Sequence, residues 1–371
     1  MRVLHLQKAK GIGGSERHLL ALLPALNARG VDTRMGVLVT GEGDRFVDAL
    51  RRERVDVTVH RAGPHANPML APWLTAQVRS FRPDVVHTHL VHADVHGQLV
   101  AAALRVPGVS SVHDTARFYQ REPIRSAGRL VGRLAARRIA ISEHVARFLR
   151  DTRLAPPNRI RVVHYGIDAA AWSTGTQERE RARERAGLSH DDVAVAIASR
   201  LVPGKGHEVL IEAFAGAVHD VPGLRLLIAG TGPKEDALRT LAARRCPTGT
   251  TRFLGFVDDM RSFLAAADML VFPTLPELSE GFGLAALEAM AAGLPVVAST
   301  VGSLPEVVDA GRTGLLAQPG SVDALREAIT CLARDNALRE QLGRNGLIRA
   351  REAFGLDAMV SRTLAVYEEV A

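Results

Sequence analysis

The sequence predicts an α/β protein built from two successive doubly wound units, each a parallel sheet with helices on both faces. Three observations carry this. The chain has 371 residues, too many for one compact domain of ordinary size and about right for two. Short β-rich runs alternate with amphipathic stretches, and strand and helix in alternation mean a parallel sheet. The alternation pauses at a polar stretch, 168–191, and then restarts.

In the first unit, strands are expected at 3–6, 34–39, 55–59, 84–88, 110–113, 138–141 and 160–164, separated by helical patterns such as 15–29 and 93–104. The polar stretch carries TGTQERERARERAG and reads as linker plus a short charged helix. Strands then follow at 193–198, 225–229, 251–254, 269–272 and 295–299. Residues 1–167 and 168–355 are the expected domains, with a cleft between them. The last helical stretch, 356–370, could complete either one.

Hydrophobic residues make up 47% and charged residues 23%, enough for real cores and unlike a mostly disordered chain. No apolar run approaches the roughly 18 residues that span a bilayer. The opening MRVLHLQKAKGIGG is too briefly apolar for a signal-peptide core and reads as a first buried strand. Cys246 and Cys331, far apart, argue against a disulfide framework and fit a reducing compartment. A soluble cytoplasmic protein is the expectation.

The net charge of +7 is unevenly divided. Residues 1–165 hold 26 Lys and Arg against 13 Asp and Glu, whereas residues 166–371 hold 21 against 27. A basic first half suggests an anionic partner there. Arginine also recurs every four residues from Arg117 to Arg137, and Pro123 marks a helix start, so Arg125, Arg129, Arg133 and Arg137 are expected to form one stripe. That stripe reads either as a solvated helix face or as an interfacial helix for anionic lipid or an anionic acceptor. Nucleic acid is not an expected partner, because aromatic residues are only 4% and no binding motif occurs.

The most specific segment is Glu280-Gly281-Phe282-Gly283-Leu284-Ala285-Ala286-Leu287-Glu288. A glycine-rich turn opening a helix leaves backbone N–H groups free near Gly283 and Leu284, which suits a phosphate, and the flanking carboxylates suit sugar or ribose hydroxyls. A capped helix with a solvated Glu would share this spacing. Upstream, Arg200-Leu201-Val202-Pro203-Gly204-Lys205-Gly206 follows a strand but lacks the glycine and the Ser or Thr of a P-loop. Ala229-Gly230-Thr231-Gly232-Pro233 is a strand-end turn. In the first unit, Gly13-Gly14-Ser15-Glu16 lies between strand and helix, and His113-Asp114 ends a strand.

Taken in this order, the motifs resemble the retaining nucleotide-sugar glycosyltransferases of the GT-B fold, in particular glycosyltransferase family 4 (group 1), over nearly the whole chain. The resemblance implies two Rossmann-like domains, with acceptor on the first, donor on the second, and residues 356–371 packing back on the first. It implies that Glu288 binds the nucleotide ribose and Glu280 the donor sugar, that backbone groups of Gly281, Phe282, Gly283 and Leu284 line the sugar and diphosphate site, and that Arg200 and Lys205 neutralise the diphosphate. Gly230 would border the cleft and Val257 the nucleotide base. Gly13 and Gly14 would approach the donor phosphate, and the His113 imidazole would orient the sugar.

His87, His89, His92 and His96 invite a metal reading, but without a Cys or carboxylate partner they read as packed or exposed histidines. The Asp-x-Asp motif of metal-dependent relatives is absent, so neither metal nor cofactor is expected. The nucleotide sugar, UDP-linked before GDP-linked, would be the substrate. The expected acceptor is lipid-linked or a polysaccharide at the inner membrane surface, with a soluble small molecule as the second choice. A nucleotide-sugar epimerase or a non-catalytic binder of the same fold stays open.

Overall fold

The computed structural model describes residues 1–61, 69–278 and 280–371. They form two compact units, Met1–Gly166 with Leu356–Ala371, and Ile167–Gly355. The first contains seven parallel strands: β1 (Arg2–Ala9), β2 (Asp32–Val39), β3 (Asp56–Arg61), β4 (Val85–His89), β5 (Gly108–Val112), β6 (Arg137–Ala140) and β7 (Ile160–Val162). Their order is β3-β2-β1-β4-β5-β6-β7. The helices are α1 (Gly14–Ala28), α2 (Asp44–Arg52), α3 (Leu70–Phe81), α4 (Leu90–Ala103), α5 (Ile124–Leu134), α6 (Glu143–Asp151) and the C-terminal helix Leu356–Glu368.

The alternation of side chains along β1 feeds two cores. Val3 packs with Leu19, Leu22 and Leu26 of α1 on one face, where Met359, Val360, Val366 and Tyr367 of the C-terminal helix complete the layer. Leu4 and Leu6 pack with Leu70, Leu74 and Val78 of α3 on the other. The C-terminal helix therefore belongs to the first unit because its apolar stripe fills that layer.

The second unit has six parallel strands, β8 (Val193–Ala198), β9 (Leu224–Ala229), β10 (Thr251–Gly255), β11 (Met269–Phe272), β12 (Val296–Ser299) and β13 (Gly314–Ala317), in the order β10-β9-β8-β11-β12-β13. Its helices are α7 (Thr176–Arg185), α8 (His207–Asp220), α9 (Glu235–Arg245), α10 (Met260–Ala266), α11 (Leu284–Ala291), α12 (Leu304–Val307), α13 (Val322–Arg334) and α14 (Asn336–Ala353). The strand GLLA of β13 was not anticipated from sequence, because four residues between glycine-bearing turns carry too little periodicity. In both sheets the strand order reverses at one place, between β1 and β4 and between β8 and β11. Loops leave there to opposite sides and open a crevice at the carboxyl ends of the strands.

The Glu/Arg-rich α7 is the short charged helix expected there, and it is docked: Arg179 and Arg183 reach Asp268 at 2.5 and 3.0 Å and also donate to the carbonyls of Ala265, Ala266 and Ala267. The arginine stripe ends one residue early. Arg125, Arg129 and Arg133 lie on α5, but Arg137 starts β6 and pairs with Glu369 at 2.6 Å, because the helix stops at Leu134 to let the chain enter the sheet. Gly128, Val131 and Gly132 form the buried face of α5, and Arg125, Arg133 and Leu130 are exposed. No helix among the described residues is long and apolar enough to cross a membrane.

Candidate active site

In the second unit, the loop after β8 carries Arg200 and Lys205, and the loop after β11 carries Glu280, so the two approach from either side of the strand-order reversal. Lys205 Nζ donates to Glu280 Oε2 at 2.7 Å, and its ammonium also lies 5.4 Å from the Phe272 ring centre. Both partners are mostly withdrawn from water, with side-chain exposures of 14% and 19%. Removing one would leave a poorly solvated charge on the other. Arg200 is exposed, and its guanidinium bonds none of the described residues.

Directly after Glu280 the chain turns into α11. Gly283 caps the helix at φ +85°, a left-handed conformation that favours glycine; the N–H groups of Ala286 and Leu287 donate to its carbonyl at 2.9 and 3.2 Å, and those of Leu284 and Ala285 lie ahead of these first bonds. The Phe282 ring is buried, edge-on to Phe354 at 5.6 Å between centroids, Gly281 and Gly283 are buried beside it, and Leu284 is half-buried. Glu288 lies one turn further along α11 than Leu284, 4% exposed.

The neighbouring turn is tied to the same crevice. Gly230 donates to the Gly255 carbonyl at 2.7 Å, Leu201 donates to Thr231 at 2.9 Å, and Leu275 to Gly204 at 2.8 Å. The loops after β8, β9, β10 and β11 are thus laced together by backbone bonds, and Val257, half-buried, follows β10 on that edge. His207 opens α8 below the Lys205 loop. Burial pushes its imidazole down to about 4, with Ser199 Oγ 3.2 Å from Nε2, so it is neutral at pH 7.

Gly302 and Ser303 were not singled out from sequence. Ser303 donates to the Glu280 carbonyl from both its backbone N–H, at 3.1 Å, and its hydroxyl, at 3.2 Å. Gly302 has φ +61°, and a Cβ there would stand 2.3 Å from the same carbonyl oxygen. The loop after β12 therefore cradles the backbone of Glu280. The available signal was the TVGSLPE turn at the end of a strand, one turn of many in an α/β chain.

In the first unit, Gly13 and Gly14 are exposed at the start of α1. Glu16 folds back, accepting from Gly13 N–H at 2.9 Å, from Ser15 Oγ at 3.0 Å and from Gln7 Nε2 at 2.6 Å. With a glycine N-cap only the Glu16 half of a capping box is made, and it fixes the loop between β1 and α1. His113 follows β5. Both its ring nitrogens are engaged, Nε2 with His89 at 3.0 Å and Nδ1 with the Tyr165 hydroxyl at 2.6 Å. A hydrogen bond from this ring to a sugar requires one of those links to open.

His87 and His89 are packed in the core, while on α4 His92 is exposed and His96 half-buried. The two pairs do not come together as one site. Instead His5 from β1 joins His87 and His89, with one nitrogen of each within 4.8 Å of the others. Burial holds His5 and His113 down at about 3 and His18, His87 and His89 well below the ordinary histidine value, so all five are neutral at pH 7.

Known proteins resemble the chain along both units. Residues 12–171 match the family described as Glycosyltransferase Family 4, and residues 178–349 the family described as Glycosyl transferases group 1. A D-inositol 3-phosphate glycosyltransferase of Streptomyces avermitilis is 33% identical over 305 residues, which cover 76% of this chain and 65% of that protein, so the match spans a little under two thirds of its length. A glycogen synthase of Mycobacterium tuberculosis is 32% identical over 308 residues, 78% of this chain and 69% of that protein. Among solved structures, Anabaena Alr3699/HepE in complex with UDP superposes with a TM-score of 0.87 over the full length of both chains at 23% identity. The fold is that of GT-B enzymes.

Proposed function

The chain belongs to the group 1 glycosyltransferases, and on that basis we propose that it moves a sugar, with retention at the anomeric carbon, from a UDP-sugar to a hydroxyl of an anionic acceptor. The observation that carries this is the Lys205–Glu280 pair at 2.7 Å, set beside the open N-terminus of α11 with Glu288 on the same helix.

In this reading the diphosphate lies against the first-turn amides of α11, where the helix dipole favours negative charge. Arg200 and Lys205 supply the positive charge as the leaving group develops, in place of a divalent cation. Lys205 has three N–H donors, so it can serve the phosphate while keeping Glu280 oriented toward the sugar hydroxyls. Glu288 takes the ribose. Among the described residues at this edge the one carboxylate set toward the sugar, Glu280, is held by Lys205, and a front-face attack in which the departing phosphate accepts the acceptor's proton fits the groups present. The preference for UDP rests on the UDP-bound HepE complex, which shares the fold.

The acceptor belongs to the first unit, which carries the basic excess. The relative named for a phosphorylated inositol favours a small phosphorylated acceptor. The exposed arginines of α5, with Leu130 at 42% exposure beside them, support a second reading in which the acceptor is lipid-linked at the inner membrane surface.

The test is to incubate the protein with UDP- and GDP-sugars, measure thermal stabilisation, and follow nucleoside diphosphate release with inositol phosphate and with lipid-linked acceptors. Stabilisation by UDP conjugates and acceptor-dependent release of UDP, with an α-linked product from an α-linked donor, is the expected result. Donor turnover without acceptor would favour an epimerase, and an inverted product would overturn the retaining mechanism.

A further inference from the structure

Behind His113 the hydrogen bonds do not stop at His89. His89 Nε2 meets His5 Nδ1 at 3.1 Å, His5 Nε2 meets the Tyr367 hydroxyl at 3.4 Å, that hydroxyl meets His87 Nδ1 at 2.7 Å, and His87 Nε2 meets Ser111 Oγ at 2.7 Å. With the links from His113 to His89 and Tyr165, every ring nitrogen of these four histidines has one partner within the series. We infer that the series from Ser111 through His87, Tyr367, His5, His89 and His113 to Tyr165 is one hydrogen-bonded chain that fixes the tautomer and orientation of His113, with Tyr367 and Tyr165 as positioning residues for the transfer. This rests on the reading of His113 as a group at the reaction centre.

The argument is a count of protons. A neutral imidazole has one N–H and one lone pair, so each ring must donate at one nitrogen and accept at the other. Each link holds one proton. If Ser111 donates to His87, then His87 donates from Nδ1 to Tyr367, Tyr367 to His5, and His5, His89 and His113 each donate from Nδ1, ending at the Tyr165 oxygen. If Tyr165 donates to His113, every ring carries its proton on Nε2 and the series ends at Ser111. Among His5, His89 and His113 any mixed arrangement sets two lone pairs or two N–H groups against each other, and a Tyr367 oxygen that accepted from both His5 and His87 would leave its own O–H without a partner in the series. The four rings therefore share one tautomer.

This matters for chemistry because Nδ1 of His113 lies at the Tyr165 end of the series. In one arrangement it is a donor there and in the other an acceptor, so the interior of the unit decides what the ring offers a hydroxyl. The Tyr165 ring is held in turn by His18, stacked on it at 4.3 Å between centroids. The three-histidine cluster within the series is also the one group among the described residues with nitrogens close enough to hold a metal ion. Its nitrogens are already matched to one another and to Tyr367, which favours the chain.

The test uses the full-length protein labelled with 15N-histidine, in which two-bond correlations report the protonated nitrogen of each ring. The four buried rings are expected to show one common tautomer in the wild type. In Tyr367→Phe, which keeps the packed ring but removes the central hydroxyl, His5, His89 and His113 are expected to become mixed. Tyr165→Phe is expected to force Nδ1–H out of register at the other end. In both variants kcat should fall about tenfold or more while the donor KM changes by less than about twofold. Different tautomers among the four rings in the wild type, an unchanged His113 in both variants, or a stoichiometric transition metal in the purified protein would overturn the chain. A shifted tautomer with unchanged kcat would overturn its role in transfer. The NMR readout needs no donor, so absence of transfer from every donor would count against the proposed reaction and leave the tautomer result standing.

Discussion

Lys205 and Glu280, 75 positions apart in sequence, are joined by a 2.7 Å ion pair that bridges the loops after β8 and β11. The pair sits in the second unit beside its strand-order reversal. Neither loop has a reason of its own to hold its charged side chain out of water, so each charge is kept in place by the other. The consequences can be measured.

Lys205→Ala removes a cation from the leaving-group side and leaves Glu280 unpaired. Transfer is expected to fall by about 100-fold or more, the scale of losing one preorganised charge-stabilising donor. Glu280→Gln, which keeps the shape, is expected to lose activity with a smaller change in melting temperature. Steady-state kinetics beside thermal unfolding checks both, and near-normal activity in either removes the assignment.

Glu288→Ala should act on binding. Loss of a buried carboxylate hydrogen-bonding a ribose is expected to weaken UDP by about tenfold or more, read as loss of the UDP-induced thermal shift. A shift equal to wild type would place the ribose elsewhere.

Gly302→Ala puts a Cβ 2.3 Å from the Glu280 carbonyl in a backbone that already has φ +61°. The expected cost is about 1–3 kcal/mol of stability together with lost transfer, because the Glu280 backbone must move. Ser303→Ala, which removes only the hydroxyl bond, should be milder. Normal activity in Gly302→Ala would show that the loop does not position Glu280.

The buried histidines make stability fall in acid. Their folded values lie below the unfolded value of 6.5, so between about pH 6.5 and 3 the unfolded chain binds more protons than the folded one. Stability is full above pH 6.5 and declines as pH falls, by about 1.4 kcal/mol per pH unit for each histidine kept neutral. Denaturant unfolding at pH 7, 6 and 5 checks this. A flat profile would mean that the rings are protonated in the folded state.

Arg125, Arg129 and Arg133 give α5 a cationic outer side. If it meets anionic lipid, sedimentation with phosphatidylglycerol vesicles should be strong in low salt, weak in high salt, and lost when the three are replaced by Ser. No salt-sensitive binding would remove the membrane reading and leave the small phosphorylated acceptor.

Sequence alone determined the two parallel sheets, most of their strands and the chemistry-bearing loops. Buried strands and amphipathic helices announce themselves through periodicity, and EGFGLAALE or GGSE are short contiguous segments at the start of a helix, recognisable without their distant partners. Tertiary structure decided which distant groups meet. Tyr367 reaches His87 across 280 positions, and Ser303 holds Glu280 from the next loop. The C-terminal helix enters the first core, and Arg137 leaves the arginine stripe because the helix ends where the sheet needs a strand. These depend on packing between elements, which no local pattern encodes: a histidine on a strand looks the same whether its neighbour is water, a metal or another imidazole.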